Sequence, residues 1–449
     1  MSEKNEGLLL IKERVGHILK FECGTSFGDD EISEVEFHPA SGALRINGSD
    51  AREIGRGSYG CAYRVFSKKL QKDVVLKVSL FSQMTGWWSG EWSSDILYYE
   101  SLWKGITGPV CPLEFTNLVR IFSYGDIHRD PMGSGLFGVG LSVSECCELG
   151  SLSAMPRDVA RAILSMECNV CGLFETLRRL ENLQSGEDSG EKSFCQLLNL
   201  DLKPSNLLVA MDVAGVPIIK IGDWSTAVAL SRTRMEGEEG FIRPSSAFPE
   251  SRSDLAEGLG GIGQGTMAYK APETIRNDVS IDSRKIDMFS LGLTLFEVFT
   301  CGGLWFEEPE VATWPGSPGF KILFCVSEGE SGLAKWDAFV RAKVEKAIGE
   351  GLDQTVGELI MQCCTLNAPL RLTPAAAIAH MAKKKFWLGK SEEERHNTLE
   401  KEMAVAENLL AKWKSPLEKT DQEKATALGM AANALGGSIT TGVSPKSKS

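Results

Sequence analysis

No apolar run in this 449-residue chain approaches the about 18 residues that cross a bilayer as a helix. The amino terminus, Met1 to Glu6, lacks the charged-then-apolar order of a secretory leader. The expectation is an intracellular protein, cytoplasmic rather than nuclear, with no membrane partner. Basic charge is also in short supply: 48 Lys and Arg stand against 60 Asp and Glu, a net charge of −12. That balance argues against a general nucleic-acid binder, which needs a basic surface, and serves solubility, with a mild bias towards basic partners. A disulfide framework is missing too. The twelve cysteines are scattered, and the neighbours Cys146–Cys147 and Cys363–Cys364 cannot readily bridge each other. Most lie in apolar contexts, where a thiol acts as a small hydrophobe in a reducing compartment. Cys168 and Cys171 have the spacing of half a zinc site, but no second half follows at ligand spacing. They lie inside a helical pattern, so core packing is the preferred reading.

What is present suits a soluble globular protein with two lobes and appendages: 43% hydrophobic and 24% charged residues over a long chain. The most informative stretch is Asn199 to Asn206. Asp201, Lys203 and Asn206 sit beside Pro204, which stops a helix, between the apolar runs Cys195 to Leu198 and Leu207 to Ala210. Further on, Ile218 to Ile221 reads as a short strand that ends on Gly222 and Asp223. Together these supply a carboxylate able to take a proton, a lysine able to hold an anion, and an Asn/Asp oxygen pair of the kind Mg²⁺ prefers. The plainer alternative is a turn between two strands, since Asp, Asn, Ser and Pro are common turn residues.

Upstream, Gly55, Gly57 and Gly60 form a GxGxxG pattern, a weak signal alone because dinucleotide-binding folds share it. Cys61 to Phe66 then alternates like a strand, whereas the dinucleotide fold starts a helix there. A strand–loop–strand flap over phosphates is the better reading. Asp73 to Val78 is an apolar strand that contains Lys77, and a lysine in such a strand should meet an anion. Gly138 to Ser144 is another apolar strand, leading into Glu145-Cys146-Cys147-Glu148. Apolar residues at helical spacing (Val159, Ile163, Met166, Val170, Leu173, Leu177) predict one long helix over 157–183. Gln184 to Lys192 is a polar insertion. Near the amino terminus, residues 6–20 predict a short helix and 32–47 a strand pair around the turn signal Pro39 to Gly42. Ser391 to Glu394 reads as a capping box. The stripe Leu399, Met403, Ala406, Leu410, Trp413 gives one apolar helix face, ended by Ser415-Pro416. Residues 392–414 either dock on their own chain or meet a partner. From about Gly436 the Gly/Ser/Thr/Lys composition predicts disorder.

At this point the chain resembles the eukaryotic protein kinases. Asp201, Lys203 and Asn206 match their His-Arg-Asp-x-Lys-x-x-Asn catalytic loop, and Asp223-Trp224-Ser225 resembles their Asp-Phe-Gly metal motif. Gly265 to Glu273, ending Ala271-Pro272-Glu273, resembles their substrate-positioning loop. Asp287 to Gly292 resembles the start of their central helix, and Arg371 the arginine that pairs with the Ala-Pro-Glu glutamate. The resemblance covers about residues 50–388 and implies an α+β, bilobal protein-kinase-like fold, with a small β-rich N-lobe and a larger, mainly helical C-lobe. Its implied divisions are an extension at 1–49, N-lobe and hinge at 50–148, C-lobe at 149–388, an amphipathic helix at 389–415 and a largely disordered tail at 416–449. It further implies ATP and Mg²⁺ as cofactors and protein substrates. By this resemblance Asp201 and Lys203 are catalytic, and Asn206 and Asp223 hold the metal. Ile54, Gly55, Gly57, Gly60, Lys77, Glu100, Glu145, Cys147 and Leu208 bind the nucleotide. Glu100 fits a helical frame as the partner of Lys77, with Glu91 the alternative. Ser144 guards the back of the adenine pocket and Val75 narrows it from above.

The chain departs from the family where Asn199-Leu200 replaces His-Arg, where Trp224 replaces Phe, and where Ser225 replaces Gly. The missing arginine is the one that grips an activation-segment phosphate in the family. Lys203 with Thr266 resembles the serine/threonine pattern, and Ser205 stands where basic-directed members carry an acid. Two functions are therefore carried forward: a serine/threonine protein kinase, and a pseudokinase that serves as a nucleotide-binding or scaffold module.

Overall fold

The computed structural model describes residues 19–27, 30–38, 43–46, 49–56, 60–67, 71–82, 117–127, 137–181, 183–185, 193–224, 226–232, 243–244, 265–276 and 282–413. Among the described residues the first half forms an antiparallel sheet of eight strands: β1 (Leu19–Phe27), β2 (Asp30–His38), β3 (Ala43–Ile46), β4 (Ser49–Arg56), β5 (Gly60–Ser67), β6 (Lys72–Ser82), β7 (Ile121–Ile127) and β8 (Phe137–Glu145). Their order is β1-β2-β3-β4-β5-β6-β8-β7. The strand pair expected within 32–47 is β2 with β3, in the register Val35↔Ile46 and His38↔Ala43. β3 then pairs with β4 (Leu44↔Ala51, Ile46↔Ser49), so the amino-terminal strands continue the sheet. Most of the helix expected at 6–20 lies outside the described residues; its last two positions, 19 and 20, begin β1, where alternation overrides it.

β4 and β5 are antiparallel neighbours, Arg56↔Cys61 and Gly55↔Ala62. The glycine-rich stretch therefore joins two strands and does not open a helix. β6 alternates as a half-buried strand should: Val74, Leu76 and Val78 are buried, and Val75 and Lys77 lie on the other face. Across the ladder Val75 faces Ser144 and Lys77 faces Ser142.

The second half is mainly helical. Among the described residues its eight longer helices are α1 (Arg157–Ser165), α2 (Glu167–Leu180), α3 (Ile286–Thr300), α4 (Pro318–Ser327), α5 (Glu330–Gly349), α6 (Gln354–Cys363), α7 (Pro374–Lys383) and α8 (Glu392–Leu410). Between α2 and α3 lie the short strands β10 (Leu183–Ser185), β11 (Ser193–Leu198), β12 (Leu207–Met211), β13 (Pro217–Ile221), β14 (Val228–Arg232) and β15 (Arg243–Pro244), with β9 (Gly150–Ser151) just before α1. They form two small sheets, β10-β11-β14-β15 and β13-β12-β9. No helix among the described residues is long and apolar enough to cross a membrane.

The single helix expected at 157–183 is two helices. The chain leaves helical geometry at Met166 (ψ 124°). Asn169 explains how the break is tolerated: its amide nitrogen donates to Ile163 O and to Pro217 O, both at 2.9 Å, and its amide oxygen accepts from Ile219 N at 3.0 Å. A carbonyl freed at the end of α1 is thereby satisfied, and β13 is tied to α2. Apolar spacing runs through the break without interruption, so periodicity alone does not reveal it.

α3 forms the centre of this half, buried along its length from Ile286 to Phe299. It approaches α6 so closely that a Cβ on Gly292 would lie 2.4 Å from Cys363 Cβ. Only glycine fits there.

Helix α8 docks on its own chain. Its capping box is complete: Glu394 N donates to Ser391 Oγ (3.2 Å) and Ser391 N donates to Glu394 Oε2 (2.7 Å). Ala406, Leu399 and Met403 pack against Met166, Val216, Ile218 and Cys168, which places half of the lone Cys168/Cys171 pair in an apolar seam. Beside the seam, Glu402 Oε1 accepts from Glu167 N at the start of α2, while Glu402 Oε2 is buried without a hydrogen bond. Glu167 in turn pairs with Lys390 at 2.7 Å. Burial first, and then the charge of Glu167, raise the Glu402 carboxyl from the ordinary 4.5 to about 7, against the pull of the Glu167 N–H and Lys390. A carboxyl with a raised pKa contributes stability that is full below its unfolded pKa and is lost as pH rises through about 7. Hydrogen exchange across residues 399–410 should accordingly quicken beyond its intrinsic rate between about pH 4.5 and about pH 7, and level off above that. Glu402→Gln should remove most of that excess.

Candidate active site

Residues 199–206 form a loop between β11 and β12, with Pro204–Asn206 as one tight turn. Asp201 is buried, and its two carboxylate oxygens accept three hydrogen bonds. Oδ1 takes Thr266 N at 2.7 Å; Oδ2 takes Lys203 Nζ at 2.7 Å and Asn206 Nδ2 at 2.9 Å. Lys203 Nζ also donates to Thr266 Oγ1 at 2.6 Å. A hydroxyl brought beside Asp201 would thus meet a fixed carboxylate with an ammonium next to it. Asn206 spends its amide nitrogen on Asp201, to the backbone oxygen at 2.8 Å as well as to Oδ2. Its amide oxygen meets Ser205 Oγ at only 3.5 Å.

β13 delivers the second carboxylate. Ile221 N donates to Asn117 O (2.8 Å) and Val119 N to Ile221 O (3.0 Å), which ties β13 to the segment entering β7. The chain then turns at Asp223, where φ is +50°, a left-handed conformation that Asp tolerates better than most residues. This turn aims the side chain at the sheet: Lys77 Nζ lies 3.0 Å from Asp223 Oδ1. Both groups are partly open to solvent, 26% and 41% exposed, so the pair is worth at most about 1 kcal/mol and is readily exchanged. Trp224 packs into the core with its indole N–H on Ile221 O at 3.3 Å, and the larger ring is fully accommodated. One carboxylate and one amide oxygen on the two strand ends of the β12–β13 hairpin are a donor set that suits Mg²⁺, which takes few protein oxygens and keeps the rest for water and phosphate.

The nucleotide side is less fully described. Ile54 and Gly55 end β4 and Gly60 begins β5; Gly57 lies outside the described residues, as do Glu100 and Glu91. Leu208 packs with Cys147, Val119 and Ala210. The Glu145 side chain is turned to other uses: Oε1 accepts Arg120 N at 2.7 Å and pairs with Lys220 at 3.0 Å. Any part it has in adenine binding falls to its backbone.

Beneath the loops runs α3, with polar side chains at Asp287, Ser290, Thr294 and Glu297. This i, i+3, i+7, i+10 spacing puts them on one helix face. Each holds a loop. Asp287 accepts Asn199 N (2.7 Å) and Leu200 N (3.0 Å); Ser290 Oγ donates to Tyr269 O (2.8 Å); Thr294 Oγ1 reaches Leu202 O (3.3 Å); and both oxygens of Glu297 accept Tyr269 OH (2.8 and 2.9 Å). Complete burial lifts the Asp287 carboxyl to about 6, with the two backbone N–H bonds pulling the other way. Burial, with the facing Glu297 charge, likewise raises the Tyr269 phenol. The sequence reading singled out Asp287 alone. The other three carried a signal all the same, a polar stripe at helical spacing in an otherwise apolar segment.

Glu273 and Arg371 meet as a buried, two-armed pair: Nη1–Oε1 2.5 Å and Nη2–Oε2 3.2 Å. Arg371 uses its remaining donors on Thr365 O and Lys285 O. At the start of this loop Gly265 has φ +70°, and a Cβ there would lie 2.4 Å from Leu200 O.

Comparison with known proteins agrees with this arrangement. Residues 195–388 match the family model of the protein kinase domain. Eukaryotic translation initiation factor 2-alpha kinase 3 of Rattus norvegicus is 33% identical over 102 residues, 23% of this chain and 8% of that protein. The protein of the same name from Bos taurus is 30% identical over 128 residues, 28% of this chain and 10% of that protein. The matched stretch therefore spans a tenth or less of those relatives' length. The family-model match, together with a β-sheet half followed by a helical half, agrees with the bilobal protein kinase fold.

Arg371→Ala should lower the unfolding free energy by about 3–5 kcal/mol, because it strands a buried carboxylate. Tyr269→Phe, which removes one buried hydroxyl from Glu297, should cost about 1–3 kcal/mol. Urea unfolding midpoints of the purified chain would check both values and their order.

Proposed function

We propose that this chain transfers the γ-phosphoryl group of ATP to serine or threonine hydroxyls of proteins. The observation that carries this reading is the Asp201 carboxylate, held between Lys203, Thr266 and Asn206 and sharing its loop with one end of the strand hairpin whose other end is Asp223. Phosphoryl transfer asks for in-line positioning and charge neutralisation more than for covalent chemistry. Asp201 orients the attacking hydroxyl and receives its proton as the new P–O bond forms and the bond to the ADP oxygen breaks. Lys203 offsets negative charge on the transferring group. Lys77 gives up Asp223 for the α- and β-phosphates, an exchange made cheap by the partly exposed pair. Asn206 and Asp223 would hold Mg²⁺, which would supply positive charge to offset that of the phosphates. The link from Lys203 to Thr266 supports serine/threonine specificity, since it joins the catalytic lysine to the loop that seats the substrate. The relatives contribute the reaction class; the matched stretch is too small a part of them to carry a substrate across.

The departures at Asn199, Leu200 and Ser225 favour a second reading, a kinase-shaped scaffold that binds nucleotide without transferring phosphate. Radiolabel transfer from ATP to a generic protein substrate separates the two. Asp201→Asn should reduce transfer by about 10²–10⁴-fold, and Lys77→Met should reduce it strongly through the lost phosphate contact. Background signal in the wild type and in both variants would favour the scaffold.

A further inference from the structure

Three parts of the chain meet in one seam on the helical half: the break between α1 and α2, the start of β13, and α8. Met166 at the break, Val216 and Ile218 where β13 begins, and Leu399, Met403 and Ala406 of α8 supply its apolar contacts. Into this seam α8 carries a carboxylate. Glu402 Oε1 accepts Glu167 N at 3.1 Å, one of the N–H groups that the start of α2 leaves without an intrahelical partner. Glu402 Oε2 is buried with no hydrogen bond. The neighbouring Glu167 carboxylate is already occupied: both oxygens accept Lys390 Nζ at 2.7 Å, and Oε2 also accepts Trp387 N at 2.9 Å. Two carboxylates thus share one ammonium in an apolar place. A proton on Glu402 removes the excess negative charge, and its loss restores it. The other charged or titratable groups around the seam bring no relief. Burial keeps the Cys168 thiol of α2 neutral, and Asp212 in the β12–β13 turn has the same sign as Glu402. In α1, which also lies against α8, Arg157 and Arg161 donate to carbonyls that end α3, and Asp158 is exposed.

The seam bears on the cleft through β13. One edge of that strand pairs with β12, from Leu207↔Ile221 to Met211↔Pro217. Over residues 217–219 the other edge is held by side chains. Asn169, in the first turn of α2, donates to Pro217 O and accepts from Ile219 N, and Asn117 Nδ2 donates to Ile219 O at 2.8 Å. The place where β13 begins is therefore set by the first turn of α2 together with the apolar face of α8. The same short strand ends at Ile221, two residues before Asp223.

We propose that α8 is a proton-dependent strap on the nucleotide site: with a proton on Glu402 it holds the start of β13, and so Asp223, in place for Mg²⁺ and nucleotide, and as that proton leaves, α8 lifts and the site loosens. The proposal rests on the nucleotide-binding part of the kinase reading and not on phosphoryl transfer itself.

The test uses the full chain at about pH 6 and about pH 8. It reads hydrogen exchange at residues 399–410, Mg²⁺-dependent binding of a fluorescent ADP analogue, and the melting midpoint. The Glu402 carboxyl titrates at about 7 against an ordinary 4.5, so docking should weaken by about tenfold over that interval, most of it below pH 7, and exchange should quicken to match beyond its intrinsic rate. By reciprocity, a ligand that α8 helps to bind must hold α8 down. Saturating Mg²⁺ with the ADP analogue should therefore slow that exchange about fivefold at the higher pH. There, too, half-maximal binding should need about fivefold less Mg²⁺ in Glu402→Gln than in the wild type, and the two should agree at the lower pH. Glu407→Gln, which removes an exposed charge from the same helix, should follow the wild type throughout. A merely structural role would move exchange and the melting midpoint and leave the Mg²⁺ dependence alone. The proposal is overturned if Glu402→Gln and the wild type need the same Mg²⁺ at the higher pH, or if bound nucleotide leaves exchange at 399–410 unchanged; in either case nucleotide binding that persists keeps the kinase reading. Should Glu402→Gln fail to fold, the exchange comparison on the wild type decides alone. A wild type that binds as expected but transfers nothing removes the enzyme reading and leaves the strap, and one that binds no nucleotide overturns both.

Discussion

A helix with no solvent-facing side cannot leave its polar groups to water. That constraint governs the larger half of this protein. α3 is buried from Ile286 to Phe299, yet it carries Asp287, Ser290, Thr294 and Glu297. An unsatisfied polar group in such a place is costly, so partners have to come to the helix, and the partners are loops. Backbone N–H groups of Asn199 and Leu200 satisfy Asp287, the Tyr269 carbonyl satisfies Ser290, and the Tyr269 hydroxyl satisfies Glu297. The loop at 199–206 and the loop at 265–273 are thereby set relative to each other through a rigid rod beneath both. Glu273 and Arg371 fix the trailing end of the second loop by the same logic, a buried charge held by a partner it cannot exchange.

The Lys77–Asp223 contact follows the opposite rule: both groups are partly open to solvent, and the pair is weak enough to be exchanged. Strong, dry interactions hold the frame, and this contact is a weak, wet one. The main-chain turn at Asp223 and the close pass of Gly265 beside Leu200 are where the two regimes touch, and both need unusual backbone angles.

Much of this was legible in the residues themselves. Asp201, Lys203 and Asn206 lie within six positions of one another, so local spacing was enough to group them; they do meet in space. Lys77 and Asp223 are 146 positions apart, and only the likeness to a known family linked them. Local pattern failed where a tertiary partner decided the outcome. The apolar period runs unbroken through Met166, but Asn169 reaches back to Ile163 and across to Pro217, and the helix divides. The partners of the Glu145 side chain, Lys220 and the Arg120 N–H, are likewise distant in sequence and invisible to local pattern. Asn199 reads as a loss relative to the family, because its gain lies in bonds to residues 2, 24, 27 and 88 positions away. The amphipathic stripe of α8 was plain, but whether it met its own chain or another depended on a groove that β13 and α2 build together.

The amino-terminal strands carry one more consequence. β4 belongs to two structures at once, as the fourth member of the meander that begins with β1 and as the first arm of the glycine-rich flap. The backbone ladder of residues 43–51 and that of residues 52–64 therefore meet end to end on one strand, with a register shift between Glu53 and Gly55.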